Sequence, residues 1–388
     1  MTPEPIPRAA RSRRHGLALL AAMVLVVGAC SAATPTAGNT GASGAVPSLP
    51  GGSATAVPGA GVSGPPSAAS PSATPAATVS APPPVAPGYP CGIEDPQCLS
   101  AAAVQQKSGI PFTDPVTCAA APPSVPAGAP GAPTPSPVTT AYCNLQMDSF
   151  ALRGGKDLPV VVMIPGGPVP LGARGYLWAL ARLVAWKGAV VYTADYRSGP
   201  QWGGGYPQTF ADVACAVAFA RANAAKLGGD PSRVTLVAHS FGGFPGSVVA
   251  LSRYDFAADE PACLAGPASG RPDAFVGVAA IYGFDHIGAD FLAQMLHGTR
   301  SQVPANWAAT DITTLATAKG HPTPAIALLA GTADEVAPIT TADEFAATLA
   351  TGGIHATVTL VQGADHNTIL TDPATLSTIT TLIGATGQ

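Results

Sequence analysis

From Ala141 to the end of the chain, short β-branched runs alternate with Ala- and Leu-rich stretches of helical length, and few folds accommodate that rhythm. The runs are Tyr142 to Phe150, Pro159 to Ile164, Ala189 to Thr193, Arg233 to Ala238, Phe275 to Ile281, Ala325 to Ala330 and Ala356 to Val361. Residues 159–164 and 234–238 are apolar without alternation, as strands are when both faces of a sheet are covered. Strands joined by helix-length crossovers pair in parallel. The expected class is therefore α/β: a mostly parallel central sheet flanked by helices. The interval 284–319 is longer than a crossover needs, and it predicts a small helical cap insertion.

Open sheets of this kind gather their sites at the carboxyl ends of the strands, and three such ends carry a Ser, an Asp and a His. In Arg233-Val-Thr-Leu-Val-Ala-His-Ser240-Phe-Gly-Gly243 a strand runs into Ser240 and then into a helical stretch. A turn that tight tolerates only small neighbours, here Ala238, Gly242 and Gly243. The run 325–330 leads into Gly331-Thr-Ala-Asp334-Glu-Val-Ala-Pro338, and the run 356–361 into Gly363-Ala-Asp-His366-Asn. A serine hydroxyl needs a base to remove its proton, and the base needs an acid to fix its tautomer. Ser240 is thus the candidate nucleophile, His366 the base and Asp334 the acid. Glu335 and Asp343 are read as solvated charges, His239 as packing under the turn, and Asp365 as pointing away from the base. Backbone donors for a developing oxyanion are expected at Phe241, directly after the serine, and in Val160-Val-Val-Met-Ile-Pro-Gly166-Gly167-Pro168, with Gly167 preferred over Gly166.

These segments resemble the α/β-hydrolase superfamily, in particular carboxylesterases and hormone-sensitive-lipase-like serine hydrolases. The serine turn is similar to their GxSxG elbow, with Ala238 in place of the first Gly, and Gly228-Gly-Asp-Pro-Ser-Arg-Val234 resembles the segment before it. The Gly166-Gly167 loop resembles their HGGG loop, with Pro165 at the His position. Asp195-Tyr-Arg197 and Asp212 resemble residues that serve those enzymes as ion pairs or caps. The resemblance spans about Ala141 to Gln388. It implies an α/β-hydrolase fold, no cofactor, and hydrolysis of a small-molecule or lipid-like ester through an acyl-Ser240 intermediate. The same triad serves peptidases, amidases and acyltransferases, and a non-catalytic envelope-binding lipoprotein is a reading of another class. Phe284, Ile287, Phe291, Leu292, Met295 and Leu296 fall at helical spacing in the cap. Such a stripe packs on its own domain or, in a lipase, meets lipid.

Arg8, Arg11, Arg13 and Arg14 precede an apolar run from Leu17 to Ala29, as in an export signal over residues 1–29. The run is short for a membrane span. It closes on Val27-Gly28-Ala29-Cys30, which resembles the lipobox of bacterial lipoproteins. That implies lipidation of Cys30 and an extracytoplasmic protein held at the cell membrane by its lipid. Residues 31–88, almost wholly Ala, Pro, Ser, Thr, Gly and Val, read as a disordered tether, and residues 89–140 as a disulfide-tied lead-in to a catalytic domain at 141–388. Without Cys30 an even set of cysteines remains, which suggests disulfides in an exported chain. Spacing does not choose among the pairings; the expectation is Cys91 with Cys98, Cys118 with Cys143 and Cys215 with Cys263. No metal site is expected, since the chain has no CxxC and no histidine cluster. With 10% charged residues and a net charge of -4, it has no broad basic surface for nucleic acid.

Overall fold

The apolar runs build one sheet. The computed structural model describes residues 103–119, 140–169, 171 and 173–385. The expected signal, Cys30, the tether, Cys91 and Cys98 lie outside the described residues. The strands are β1 (Val104–Pro111), β2 (Val116–Ala119), β3 (Thr140–Cys143), β4 (Gln146–Leu152), β5 (Leu158–Ile164), β6 (Val190–Ala194), β7 (Gly229–His239), β8 (Ala274–Val278), β9 (Ala325–Gly331) and β10 (Ala356–Val361). The α-helices are α1 (Trp178–Trp186), α2 (Gln208–Asn223), α3 (Gly243–Leu251), α4 (Ala289–Met295), α5 (Pro304–Thr310), α6 (Ile312–Thr317), α7 (Ile339–Thr351) and α8 (Pro373–Ala385).

Eight strands form a sheet in the order β1-β4-β6-β5-β7-β8-β9-β10, and β2 pairs with β3 apart from it. Neighbours from β6 across to β10 are parallel, whereas β4 runs antiparallel to β1 and β6. The chain leaves β5 towards one edge, to β6, and later returns to β7 on the other side of β5. Loops leaving β5 and β7 therefore diverge, and a crevice opens outside their carboxyl ends.

Side-chain alternation along β5 sorts the core into two layers. Val160, Val162 and Ile164 pack with α2, α3 and α7, while Val161 and Met163 pack with α1 and α8. Helix α2 is buried without interruption from Thr209 to Ala220, because residues 256–265 cover its outer side. It consequently has no amphipathic pattern. Within this cover lies an ion cluster: Arg197 bonds both oxygens of Asp212, at 2.8 and 2.6 Å, and also Glu260. Arg174 likewise joins Asp148 and Asp195, and Trp178 Nε1 donates to Asp148.

Three sequence expectations need correction. The domain begins before residue 141, because β1 is the edge strand of the main sheet. β1 escapes a hydrophobic scan since it is largely exposed and polar and is broken by a register shift between Lys107 and Ile110. The run 142–150 is two strands: Asn144 and Leu145 both bond Thr113, which turns the chain from the β2–β3 pair into the sheet. The run 275–281 ends as a strand at Val278, where Ala279 takes a φ of +45° and its amide turns to Leu329 O. The expected helical cap consists of three short helices, α4 to α6, and its Leu292, Met295 and Leu296 are buried in the domain core. Most of the apolar stripe packs inward.

Two disulfides join described residues. Cys118–Cys143 ties β2 to β3 with Cα atoms 6.0 Å apart, and Cys215–Cys263 ties α2 to its cover at 5.7 Å. Both are the expected pairs.

Tyr282 carries a testable imperfection. Its ring stacks on Phe345 at 4.2 Å and meets Phe275 edge-on, but its buried hydroxyl has no hydrogen-bond partner among the described residues. It fits only because Gly277 has no Cβ, which would overlap the hydroxyl. A buried polar group without a partner carries its full desolvation cost. Tyr282→Phe should therefore stabilise the domain by about 1 kcal/mol in urea denaturation; a loss of stability would show that the hydroxyl is satisfied.

Candidate active site

The turn that carries Ser240 is set by local sterics. Strand β7 ends at His239, Ser240 takes a φ of +54°, and the chain enters a short 3-10 turn leading into α3. A non-glycine residue in the left-handed region is strained and persists where its surroundings hold it. A Cβ on Gly242 would lie 2.6 Å from Pro165 O, and one on Gly243 would lie 2.6 Å from Ala280 Cβ. The Ala238 departure is accommodated one turn later. Gly246 lies opposite the Ala238 methyl, where a Cβ would come within 3.1 Å.

Ser240, His366 and Asp334 converge. The Ser240 hydroxyl donates to His366 Nε2 at 2.9 Å, and His366 Nδ1–H donates to Asp334 Oδ2 at 2.9 Å. The other Asp334 oxygen accepts from the amides of Val336 and Ala337 at 2.8 and 2.9 Å, so the buried carboxylate is held from both sides. The loops after β9 and β10 are stitched together: Thr332 N donates to Val361 O, Ala333 N to Ala364 O, and Gly363 N to Thr332 Oγ1. Glu335 and Asp343 are exposed. Asp365 turns away from the site and accepts from Asn367 N and from Thr368 N and Oγ1.

The glycine loop after β5 faces the serine. A Cβ on Gly166 would lie 2.6 Å from Ser240 Cβ, and one on Gly167 2.9 Å from Ser198 Cβ and 3.4 Å from the Phe241 ring. Only glycine leaves that space beside Ser240 open. Phe241 N–H lies in the first turn after β7, where backbone donors have no intrahelical acceptor. Two residues that the sequence did not single out pin this loop. Tyr196 donates its hydroxyl to Pro165 O at 3.0 Å, and Ser198 Oγ accepts from Val169 N and donates to Val169 O. Arg197 between them turns inward to Asp212, so the Asp195-Tyr-Arg197 motif supports the loop without touching the serine. Above it, Phe291 of α4 meets Phe241 edge-on at 5.7 Å and, with Pro168, abuts Gly199.

The profile of the BD-FAE family matches residues 150–349, just over half of the 388-residue chain. The chain belongs to the BD-FAE family. Esterase LipC of Mycobacterium tuberculosis is 35% identical over 133 residues, covering 33% of this BD-FAE chain and 30% of LipC. Carboxylesterase NlhH of the same species is 39% identical over 95 residues, covering 24% and 29%. Aligned segments thus span under a third of either relative. The propionate-bound thermophilic esterase Est2 of Thermogutta terrifontis matches 63% of this chain and 90% of its own, with a TM-score of 0.51 and 19% identity. A bifunctional GH43-CE protein of Bacteroides eggerthii matches 63% and 33%, with a TM-score of 0.53 and 21% identity. These likenesses give the BD-FAE chain the α/β-hydrolase fold.

Proposed function

We propose that this protein is a serine hydrolase that cleaves carboxylic esters through an acyl-Ser240 intermediate. The observation that carries the reading is the line from Asp334 through His366 to Ser240, both links 2.9 Å, beside an open glycine loop. His366 Nε2 takes the hydroxyl proton as Ser240 Oγ attacks the ester carbonyl. The amides of Phe241 and of Gly167 or Gly166 receive the oxyanion. His366 then returns the proton to the leaving alkoxide, which departs as the alcohol. Water, deprotonated by the same nitrogen, attacks the acyl group; the tetrahedral intermediate collapses, Ser240 recovers its proton and the acid leaves.

Asp334 holds Nδ1 protonated and thereby leaves Nε2 free to accept. The esterase names of the relatives support ester substrates, and Phe241, Phe291 and Pro168 offer apolar walls to a small or lipid-like one. Export and lipid anchoring through Cys30 belong to the same reading, supported by the N-terminal arginines and apolar run and by disulfides suited to an oxidising compartment.

The test is fluorophosphonate labelling of the full chain, expressed under oxidising conditions, with the modified residue located by mass spectrometry. Labelling at Ser240 together with turnover of p-nitrophenyl esters of graded chain length is the expected result. A folded protein that neither labels nor turns over any ester would favour a non-catalytic binding role.

A further inference from the structure

His239 precedes the nucleophile, yet its side chain does not merely fill space beneath the turn. Its Nε2 lies 3.0 Å from the backbone carbonyl oxygen of His366, and the two imidazole rings stand 4.9 Å apart between centroids. A carbonyl oxygen only accepts, so His239 Nε2 carries the hydrogen. The two contacts close a ring. Ser240 Oγ bonds the His366 side chain, the His366 carbonyl bonds the His239 side chain, and His239 joins Ser240 through the peptide bond.

That ring matters because of where His366 sits. Strand β10 is the edge of the sheet and only its last residue, Val361, is buried; the following loop exposes Gly363, Asp365, Asn367 and Thr368. The Asp365 turn shapes this loop internally, and Thr332 and Ala333 tie it to the acid loop. None of those bonds fixes the base relative to the nucleophile. His239 does so from β7, a strand buried between neighbours on both sides.

We infer that His239 is a positioning residue that sets the His366 backbone, and hence Nε2, at hydrogen-bonding distance from Ser240. The inference rests on the hydrolase reading above. The charged or titratable groups facing His239 are His366 and Asp334. Burial pushes the His239 imidazole down to about 4, so it adds no second positive charge when His366 takes the serine proton.

The bond predicts an uncommon order among substitutions. A Gln side chain places its Nε2 the same number of bonds from Cβ as the imidazole Nε2, whereas Asn falls one bond short and Leu has no donor. In the full chain, His239→Asn and His239→Leu should each lower kcat about tenfold, since small misplacements of a catalytic group are costly. Both should slow fluorophosphonate labelling of Ser240 by the same factor, with KM nearly unchanged. His239→Gln should stay within about threefold of wild type in both measurements. Melting temperatures run alongside separate instability from positioning, and the Asn and Gln pair decides the matter even if the Leu variant folds poorly. The inference is overturned if Gln falls as far as Asn, or if Asn and Leu keep wild-type rates. A wild-type chain that fails to label would instead remove the Ser240 reading, and this one with it.

Discussion

Ser240→Ala should lower kcat by roughly 10⁵- to 10⁶-fold, with little change in KM and no detectable fluorophosphonate adduct. Removing Oγ eliminates the covalent route, and His366 and Asp334 can then only activate water against an ester held by the oxyanion donors. Among the described residues Ser240 Oγ bonds only His366, so thermal melting should be unchanged and the loss can be assigned to chemistry. Asp334→Asn should be milder, about 10³- to 10⁴-fold in kcat, because an amide in that position lets His366 adopt the wrong tautomer while Ser240 remains. Steady-state kinetics of the two variants on one p-nitrophenyl ester check both. Equal activity of Ser240→Ala and wild type would sink the proposed mechanism outright.

Arg197→Met should be the most damaging change away from the triad. The guanidinium bonds Asp212 twice, Glu260 once and the Thr117 carbonyl at 3.4 Å, and both carboxylates are buried. Methionine fills much of the volume but leaves two carboxylates facing each other without a cation, at a cost of about 3–5 kcal/mol. The pH dependence identifies the cause. Even beside Arg197, burial holds Asp212 up at about 6, and loss of the cation must push it higher. A carboxyl whose folded pKa lies above its unfolded value makes the native state bind more protons, so stability increases as pH falls through that folded pKa. The gap between wild type and variant in urea denaturation should therefore be wide at pH 8 and narrow at pH 5, both pH values lying about the ~6 region where Asp212 titrates. A gap that does not change with pH would mean that packing, and not charge, is what Arg197 contributes.

The chain's local chemistry is legible wherever a residue acts through its immediate neighbours. Ser240 at φ +54° between Ala238 and Gly242, Asp334 after β9 and His366 after β10 all follow from short-range sterics and from strand ends, which leave a signature in a few consecutive residues. So do the buried runs of β5 and β7. β1 is not legible, because an exposed polar edge strand is specified by the partner it pairs with, here β4, and not by its own hydrophobicity. Helix α2 is hidden for the opposite reason: it is buried all round, and only the cover at 256–265 reveals why.

By itself the sequence determined the alternation of strands and helices from β5 onward, the residues proposed as a triad and the small residues around Ser240. Only the tertiary structure decided that Gly246 makes room for the Ala238 methyl, that Tyr196 and Ser198 hold the glycine loop, and that His239 reaches the His366 carbonyl. Ala238 and Gly246 are close in sequence but meet across a turn. His239 and His366 are 127 positions apart and meet across the sheet. A sequence records which groups are available, while hydrogen bonds and packing depend on distances between atoms, and those are fixed only once the whole sheet has closed around its core.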